Sequence, residues 1–201
     1  PARNLGSRIA RSGILFFLDA DVLVEPDSLA RIVAEFDSRP EAGALFGSYR
    51  KETLPQNFVT VYKNLLHHYT HQTAEEEAST FCGGFGAIRR EVFESAGGFH
   101  PPHRFLEDVE MGYRLHQAGT RILLRKQLQF THLKRYTLWG LIRSDFFGRA
   151  VPWTRLMLSR RLFRNDLNTR THNVVSVPCS LLLGAAVIVS PVAALMGHGL
   201  T

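Results

Sequence analysis

Apolar residues recur along this chain with two different periods, and the periods predict its elements. Ile14-Leu15-Phe16-Phe17-Leu18 is a continuous apolar run that leads straight into Asp19-Ala20-Asp21, the pattern of a strand buried on both faces with two carboxylates at its carboxyl end. Before it, residues 2–12 are basic and moderately helical, and Gly13 closes that segment. After it, Pro26 is placed as a first helical residue, and Leu29, Ile32, Val33 and Phe36 follow at helical spacing. Ala42 to Tyr49 reads as a second strand and Arg50 to Gln56 as a polar loop. Phe58, Val61, Tyr62, Leu65 and Tyr69 mark another amphipathic helix. Glu91 to Ala96 is a short helix closed by Gly97-Gly98, and Phe99 then enters a loop holding His100, Pro101, Pro102 and His103. A helix opens at Leu106-Glu107-Asp108 and ends at Gly119, with Glu110 and Arg114 spaced for an i, i+4 ion pair. Thr120 to Leu124 and Gln127 to Thr131 read as short strands, with His132 directly after.

The last third has a different texture. Between Tyr136 and Phe163, Trp139, Phe146, Phe147, Trp153 and Leu156 are interleaved with Arg143, Arg149, Arg155, Arg160 and Arg161. Such a mixture suits an element lying in a membrane interface, and it also suits a helix packed on the preceding domain. Val174 to Met196 is 23 residues without a charge; at about 1.5 Å per residue this is long enough for a hydrocarbon core of about 30 Å. It is expected to be a transmembrane helix, kinked by Pro178 and Pro191. The arginines before it place the catalytic portion on the cytoplasmic side of a membrane. The expected organisation is a catalytic domain over 1–135, an interfacial segment over 136–172 and a membrane span over 173–201.

Charge sharpens this division. Of 24 Lys/Arg and 18 Asp/Glu, Arg121 to Arg170 holds 12 and 2, a balance of +10, and the remainder holds 12 and 16, a balance of −4. A basic block leading into an apolar stretch suits anionic headgroups or phosphorylated substrates, and no nucleic-acid module is visible. Two distant cysteines, Cys82 and Cys179, exclude a disulfide framework and a cysteine zinc site. The chain starts without Met inside a helix-like stretch, which points to a fragment of a longer protein.

The candidate chemistry sits at three places. Asp19 and Asp21, one residue apart at a strand end, are hard oxygen ligands able to share Mg²⁺ or Mn²⁺, which in turn holds a diphosphate. Gly83, Gly84 and Gly86 remove side chains where a backbone turns sharply or approaches a ligand. Glu107 and Asp108 stand at a helix N-terminus, where the partial positive charge favours the ionised form a general base needs. His67 and His71 are at i, i+4, but no carboxylate stands between them as a zinc protease requires.

Ala2-Arg3-Asn4 with Gly6, Leu18-Asp19-Ala20-Asp21, Cys82-Gly83-Gly84-Phe85, Gly97-Gly98-Phe99 and Glu107-Asp108, in that order and spacing over roughly residues 2–135, resemble the family 2 glycosyltransferases. The resemblance implies an α/β fold of the glycosyltransferase A type, with a mostly parallel Rossmann-like sheet that binds a nucleotide sugar. It implies that Asp19 and Asp21 hold the metal and the nucleotide diphosphate, that Arg3 lies near the nucleotide, and that Gly83 and Gly84 frame donor sugar and acceptor. Asp108 is then the base that takes the acceptor proton, with Glu107 as its substitute and His132 as a third metal or diphosphate contact. The Gln-x-x-Arg-Trp signature of processive synthases is not present, and Arg149-Ala150-Val151-Pro152-Trp153 only loosely echoes it. The expected activity is therefore a single inverting transfer to a hydroxyl or phosphate of a saccharide or lipid-linked, membrane-proximal acceptor. The alternatives are a nucleotidyltransferase on a related fold and a non-catalytic, membrane-anchored sugar-nucleotide-binding module.

Overall fold

The computed structural model describes residues 2–54, 56–100, 106–160, 166–171 and seven single positions between 175 and 187. The chain divides into two compact units, Pro1–Phe163 and Arg164–Thr201. In the second, a 3₁₀ turn at Leu167–Thr169 is described. The expected span over 174–196 lies mostly outside the described residues; among them, no helix is long and apolar enough to cross a membrane.

The first unit is built on a six-stranded sheet. Its strands are β1 (Ile14–Leu18), β2 (Val22–Val24), β3 (Ala42–Tyr49), β4 (Glu77–Ala78), β5 (Phe85–Arg89) and β6 (Arg121–His132). The order is β1-β5-β3-β6-β2, with β4 also paired to β6. Helices α1 (Ala2–Ile9), α2 (Ser28–Ser38), α3 (Phe58–Thr73), α4 (Arg90–Ser95) and α5 (Glu107–Gln117) surround it, and α6 (Leu138–Asp145), a π-helical turn (Phe146–Ala150) and α7 (Val151–Arg160) follow.

The expectation of a mostly parallel sheet is corrected. Only β3 and β6 run parallel; β1–β5, β3–β5, β2–β6 and β4–β6 are all antiparallel. The strand β5 enters between β1 and β3 and reverses the direction on both sides, a choice that an apolar run cannot encode. β1 was expected to be buried on both faces, yet it stands at the edge of the described sheet. Leu15 and Phe17 are buried, Ile14 and Phe16 are half-buried and Leu18 is exposed. The two short strands expected after Thr120 are one strand, β6, whose register against β3 shifts between Gly47 and Ser48.

One core gathers Ile32 and Phe36 of α2 with Leu45, Phe85, Leu123, Leu128 and Phe130 of the sheet. On the other side of β1, Phe17 meets Phe93 of α4 and Phe99 at ring-centroid distances of 5.3 and 5.1 Å. Leu106, Val109 and Tyr113 pack with Leu156, Trp153 and Met157 of α7. The indole N–H of Trp153 donates to the Tyr113 hydroxyl at 2.8 Å. The basic, aromatic segment after Tyr136 thus contributes α7 to the domain's packing.

Candidate active site

The carboxyl end of β1 and the start of β2 form the floor of the site. The backbone closes a turn from Asp19 to Val22, whose N–H donates to the Asp19 carbonyl at 3.2 Å, and the Leu133 N–H donates to the Asp21 carbonyl at 2.8 Å. The Asp19 N–H donates to the Gly84 carbonyl at 3.1 Å. The end of β1 is thereby fixed to the two-glycine turn, and Asp21 to the end of β6.

That turn needs its glycines because carboxylates crowd it on both sides. A Cβ on Gly84 would stand 3.0 Å from Asp19 Oδ2, and one on Gly83 would stand 3.3 Å from the Asp108 Cβ and 3.4 Å from the Arg3 guanidinium. The Gly83 N–H donates to Asp108 Oδ2 at 3.0 Å, and the Val109 N–H donates to Asp108 Oδ1 at 2.8 Å. Burial pushes the Asp108 carboxyl above the usual carboxylate range, and the neighbouring Glu107 adds to this; the two N–H groups and Arg3 pull it down by less.

Arg3 joins the two sides. Its Nη2 donates to Asp19 Oδ1 at 2.6 Å and its Nη1 to Glu107 Oε1, while the guanidinium carbon lies 5.5 Å over the Phe99 ring. α1 is itself held at both ends. Asn4 Nδ2 donates to the Phe99 carbonyl at 2.8 Å and its Oδ1 accepts from the Phe99 N–H at 3.0 Å. Arg90 donates to the carbonyls of Ser7, Ala10 and Ser12, neutralising the carbonyl end of α1. Gly97 and Gly98 have φ of +74° and +68°, a region that disfavours a Cβ, and a Cβ on Gly98 would stand 3.0 Å from Asn4 Oδ1. The buried Glu110–Arg114 pair forms as expected, with Arg114 Nε 2.9 Å from both carboxylate oxygens, and Arg114 Nη2 reaches the Gly98 carbonyl at 2.6 Å.

His132 is brought to Asp21, with Nε2 3.7 Å from Oδ1. Burial lowers its pKa, Lys134 and Arg149 act in the same direction, and Asp21 and Asp19 oppose it. Tyr49 backs the histidine at a ring-centroid distance of 5.9 Å and stacks on His67 at 4.6 Å. His67 and His71 belong to this inner layer. Burial pushes the Cys82 thiol up to about 11, which leaves it protonated beside the turn and unsuited to attack a substrate.

All eight expected residues are thus placed in one region. Arg3, Asp19, Gly83, Gly84, Glu107 and Asp108 form one linked group, and Asp21 and His132 form its neighbour across the Asp19–Val22 turn. No group of three or more His, Cys, Asp or Glu that could hold a metal is found among the described residues. Sequence reasoning noticed Asn4 without its role and missed Arg90 and Gly112. Gly112 carried a signal, being a glycine inside a helix, whereas nothing marked Arg90.

Several comparisons bear on what this arrangement belongs to. The mannosyltransferase PcManGT from Pyrobaculum calidifontis, solved with GDP-Man and Mn²⁺, has a TM-score of 0.59 and 22% identity over 98% of this chain and 57% of its own. The chain therefore spans little more than half the length of that protein. GalNAc-T7, solved with UDP, GalNAc and Mn²⁺, has a TM-score of 0.47 and 16% identity over 80% and 40% of the two chains. TarS residues 1–349 from S. aureus has a TM-score of 0.48 and 13% identity over 72% and 40%. No curated protein matches the sequence. The motifs resemble family 2, which these comparisons do not specifically show; the sequence profile of glycosyl transferase family 21 matches residues 4–198, and the chain belongs to glycosyl transferase family 21.

Proposed function

We propose that this chain carries the catalytic residues of an inverting glycosyltransferase that moves a sugar from a nucleotide-diphosphate donor to a hydroxyl or phosphate of a membrane-proximal acceptor, one transfer at a time. The observation that carries the proposal is the Gly83–Gly84 turn, flanked by Asp108 on one side and Asp19 on the other. It brings a candidate base and a candidate ligand carboxylate against one stretch of backbone that carries no side chain of its own.

The division of labour follows from the ion pairs. Glu107 is engaged by Arg3, so it orients and does not compete for the acceptor proton. Asp108 accepts two backbone N–H bonds that fix its plane, and its raised pKa makes it a stronger base than an ordinary aspartate. It takes the proton from the acceptor oxygen as that oxygen attacks the anomeric carbon and the bond to the diphosphate breaks. One displacement inverts that centre. Arg3, held over Phe99 and against Asp19, supplies a fixed positive charge on the donor side.

The donor set also suits a divalent cation. Mg²⁺ and Mn²⁺ in nucleotide sites are held by one or two carboxylates together with substrate phosphates, without an all-protein cage. Asp21 and Asp19, both partly exposed, are such carboxylates, and His132, kept neutral by burial, is an available third donor. A cation held there supplies positive charge to the departing diphosphate. The fold shared with a mannosyltransferase solved with GDP-Man and Mn²⁺ supports both the donor class and the cation.

The test is transfer from a panel of nucleotide sugars with Mn²⁺ or Mg²⁺, beside Asp21→Ala and Asp108→Asn. Metal-dependent release of one nucleoside diphosphate, lost in both variants, is expected. Turnover indifferent to Asp108 removes the base assignment, and no donor consumed or bound by folded protein removes the transferase reading.

A further inference from the structure

Asp19, Glu107 and Asp108 crowd the glycine turn, and Arg3 is the cation set among them. Its Nη2 donates to Asp19 Oδ1 at 2.6 Å and its Nη1 donates to Glu107 Oε1. The guanidinium also lies against the turn itself, since a Cβ on Gly83 would stand 3.4 Å from both its Cζ and its Nη1. The two ends of this bridge are not equivalent. On the Glu107 side the guanidinium is backed by the Phe99 ring at 5.5 Å, and both ends of the Asn4 amide tie α1 to the Phe99 backbone. Glu107 is 26% exposed and belongs to the first turn of α5. Asp19 is 42% exposed and stands in the turn that closes at Val22. The contact with Glu107 and Phe99 is therefore the anchored one, and the contact with Asp19 is the one open to solvent. An ion pair that water reaches exchanges partners at small cost.

Asp19 is thereby claimed twice. Arg3 holds its Oδ1, and its Oδ2 faces Gly84, 3.0 Å from where a Cβ would stand. A divalent cation between Asp19 and Asp21 draws on the same carboxylate. A carboxylate already paired with a guanidinium is a poorer ligand for a second cation, because its charge is partly neutralised and the two cations repel. Asp21 faces the His132 ring instead, with Nε2 3.7 Å from Oδ1. The competition therefore falls on Asp19.

We propose that Arg3 is the counter-ion that holds Asp19 until a divalent cation takes it, a positioning role that rests on the cation site proposed at Asp19 and Asp21. Asp19 changes partners as the site is loaded, while the guanidinium stays with Glu107 and Phe99. Two consequences follow from the geometry. Before the cation arrives, the Arg3–Asp19 pair lies across the side-chain-free backbone of Gly83 and Gly84, which closes that backbone to a substrate. Once Asp19 has left, Arg3 Nη2 has an N–H to donate, and an oxygen of the donor diphosphate is the anion that suits it. Cation and diphosphate thus favour each other's binding, because each takes one member of a pair and leaves the other member free.

Binding of Mn²⁺ alone to the full chain, read from the loss of the free-ion electron paramagnetic resonance signal, tests the exchange without any sugar transfer. Arg3→Met and Arg3→Gln remove the charge and leave a side chain of similar reach over Phe99. Each is expected to bind Mn²⁺ more tightly than the parent chain, by roughly three- to tenfold, with an unchanged circular dichroism spectrum. In the Asp19→Asn background Arg3→Met is expected to give no gain, because the contested pair is already gone. In transfer assays Arg3→Met should need less Mn²⁺ for half-maximal rate and more donor, so that KM for the donor rises. A merely structural role for Arg3 would not move the two in opposite directions. Mn²⁺ bound equally or more weakly by both Arg3 variants overturns the exchange and leaves the cation site standing. A gain of the same size in the Asp19→Asn background also overturns it, by assigning the effect to repulsion across the site as a whole. A parent chain that binds no Mn²⁺ removes the cation site and the exchange together.

Discussion

Asp108 shows how a single carboxylate is tuned by what surrounds it. Burial raises its pKa, and the N–H groups of Gly83 and Val109 lower it by less. The sign of the stability effect follows. A folded-state pKa above the unfolded value means that the ionised carboxylate is disfavoured in the fold, so the cost grows as pH rises from the unfolded value to the folded one and is then constant. Asp108→Asn removes that cost at neutral pH but gives up one of the two N–H bonds, because an amide nitrogen cannot accept from Gly83 or Val109. It is expected to lower turnover by about 10² to 10⁴. The stability of the variant relative to the parent should fall as pH falls into the ordinary carboxylate range, where the parent's carboxyl is protonated and its cost is gone. Paired melting curves across pH check this, and a difference that does not change with pH contradicts it. At this scale the sequence was informative. Asp19, Asp21, Gly83, Gly84, Glu107 and Asp108 were recognisable because strand ends, glycine turns and helix starts each have a local chemistry. Arg90 was not, because its role is to reach three carbonyls, and an arginine's destination leaves no local pattern.

Helix α5 delivers Asp108 to the glycine turn only because it lies directly on the backbone before that turn. A Cβ on Gly112 would stand 2.3 Å from the Phe81 nitrogen and 2.6 Å from Thr80 backbone atoms, a clash that no rotamer relieves. Gly112→Ala must therefore lift α5 or push residues 80–81 away. We expect a loss of about 1–3 kcal/mol and, because the Gly83–Asp108 bond is moved with it, a fall in turnover that is larger than the melting shift alone explains. Denaturant titration beside kinetics at a temperature where the variant is fully folded separates the two; unchanged stability would show that the backbone gives way freely. Elements were legible in position and illegible in relation. β3 begins and ends at the expected residues, Ala42 and Tyr49, because its apolar run is bounded by polar residues. The antiparallel insertion of β5 was not visible, since pairing direction is set by connections and not by side-chain period. The helix of α3 was likewise legible from its spacing, but the face turned inward was not, because periodicity reports that two faces differ and leaves open which one meets water.

At the scale of the whole molecule, the inward polar face of α3 makes the fold sensitive to acid. His71 is buried between Phe46 and Tyr49, and burial lowers its pKa from 6.5 to about 4; burial also carries His67 well below its ordinary value, with Lys63 and Arg149 acting in the same direction. A histidine depressed in the fold contributes stability above its unfolded pKa and loses it as pH falls, because the unfolded chain takes up a proton that the folded chain refuses. At about 1.4 kcal/mol per unit, His71 alone removes on the order of 3 kcal/mol by pH 4, and His67 adds to the loss over the same window. Asp108 works in the opposite direction, though only in the carboxylate range and for one group. Against a total stability of about 5–15 kcal/mol, the His71 contribution alone is a large fraction at the lower end of that range. Denaturation midpoints should therefore fall steeply between pH 6.5 and about 4, and His71→Gln should flatten that slope by removing one of the protons taken up by His67, His71 and His132, even if it lowers stability at neutral pH. An unchanged slope in His71→Gln and in the double variant with His67→Gln would assign the acid sensitivity to His132 and the carboxylates instead, and with it would go the claim that a neutral, buried histidine layer holds α3 against the sheet.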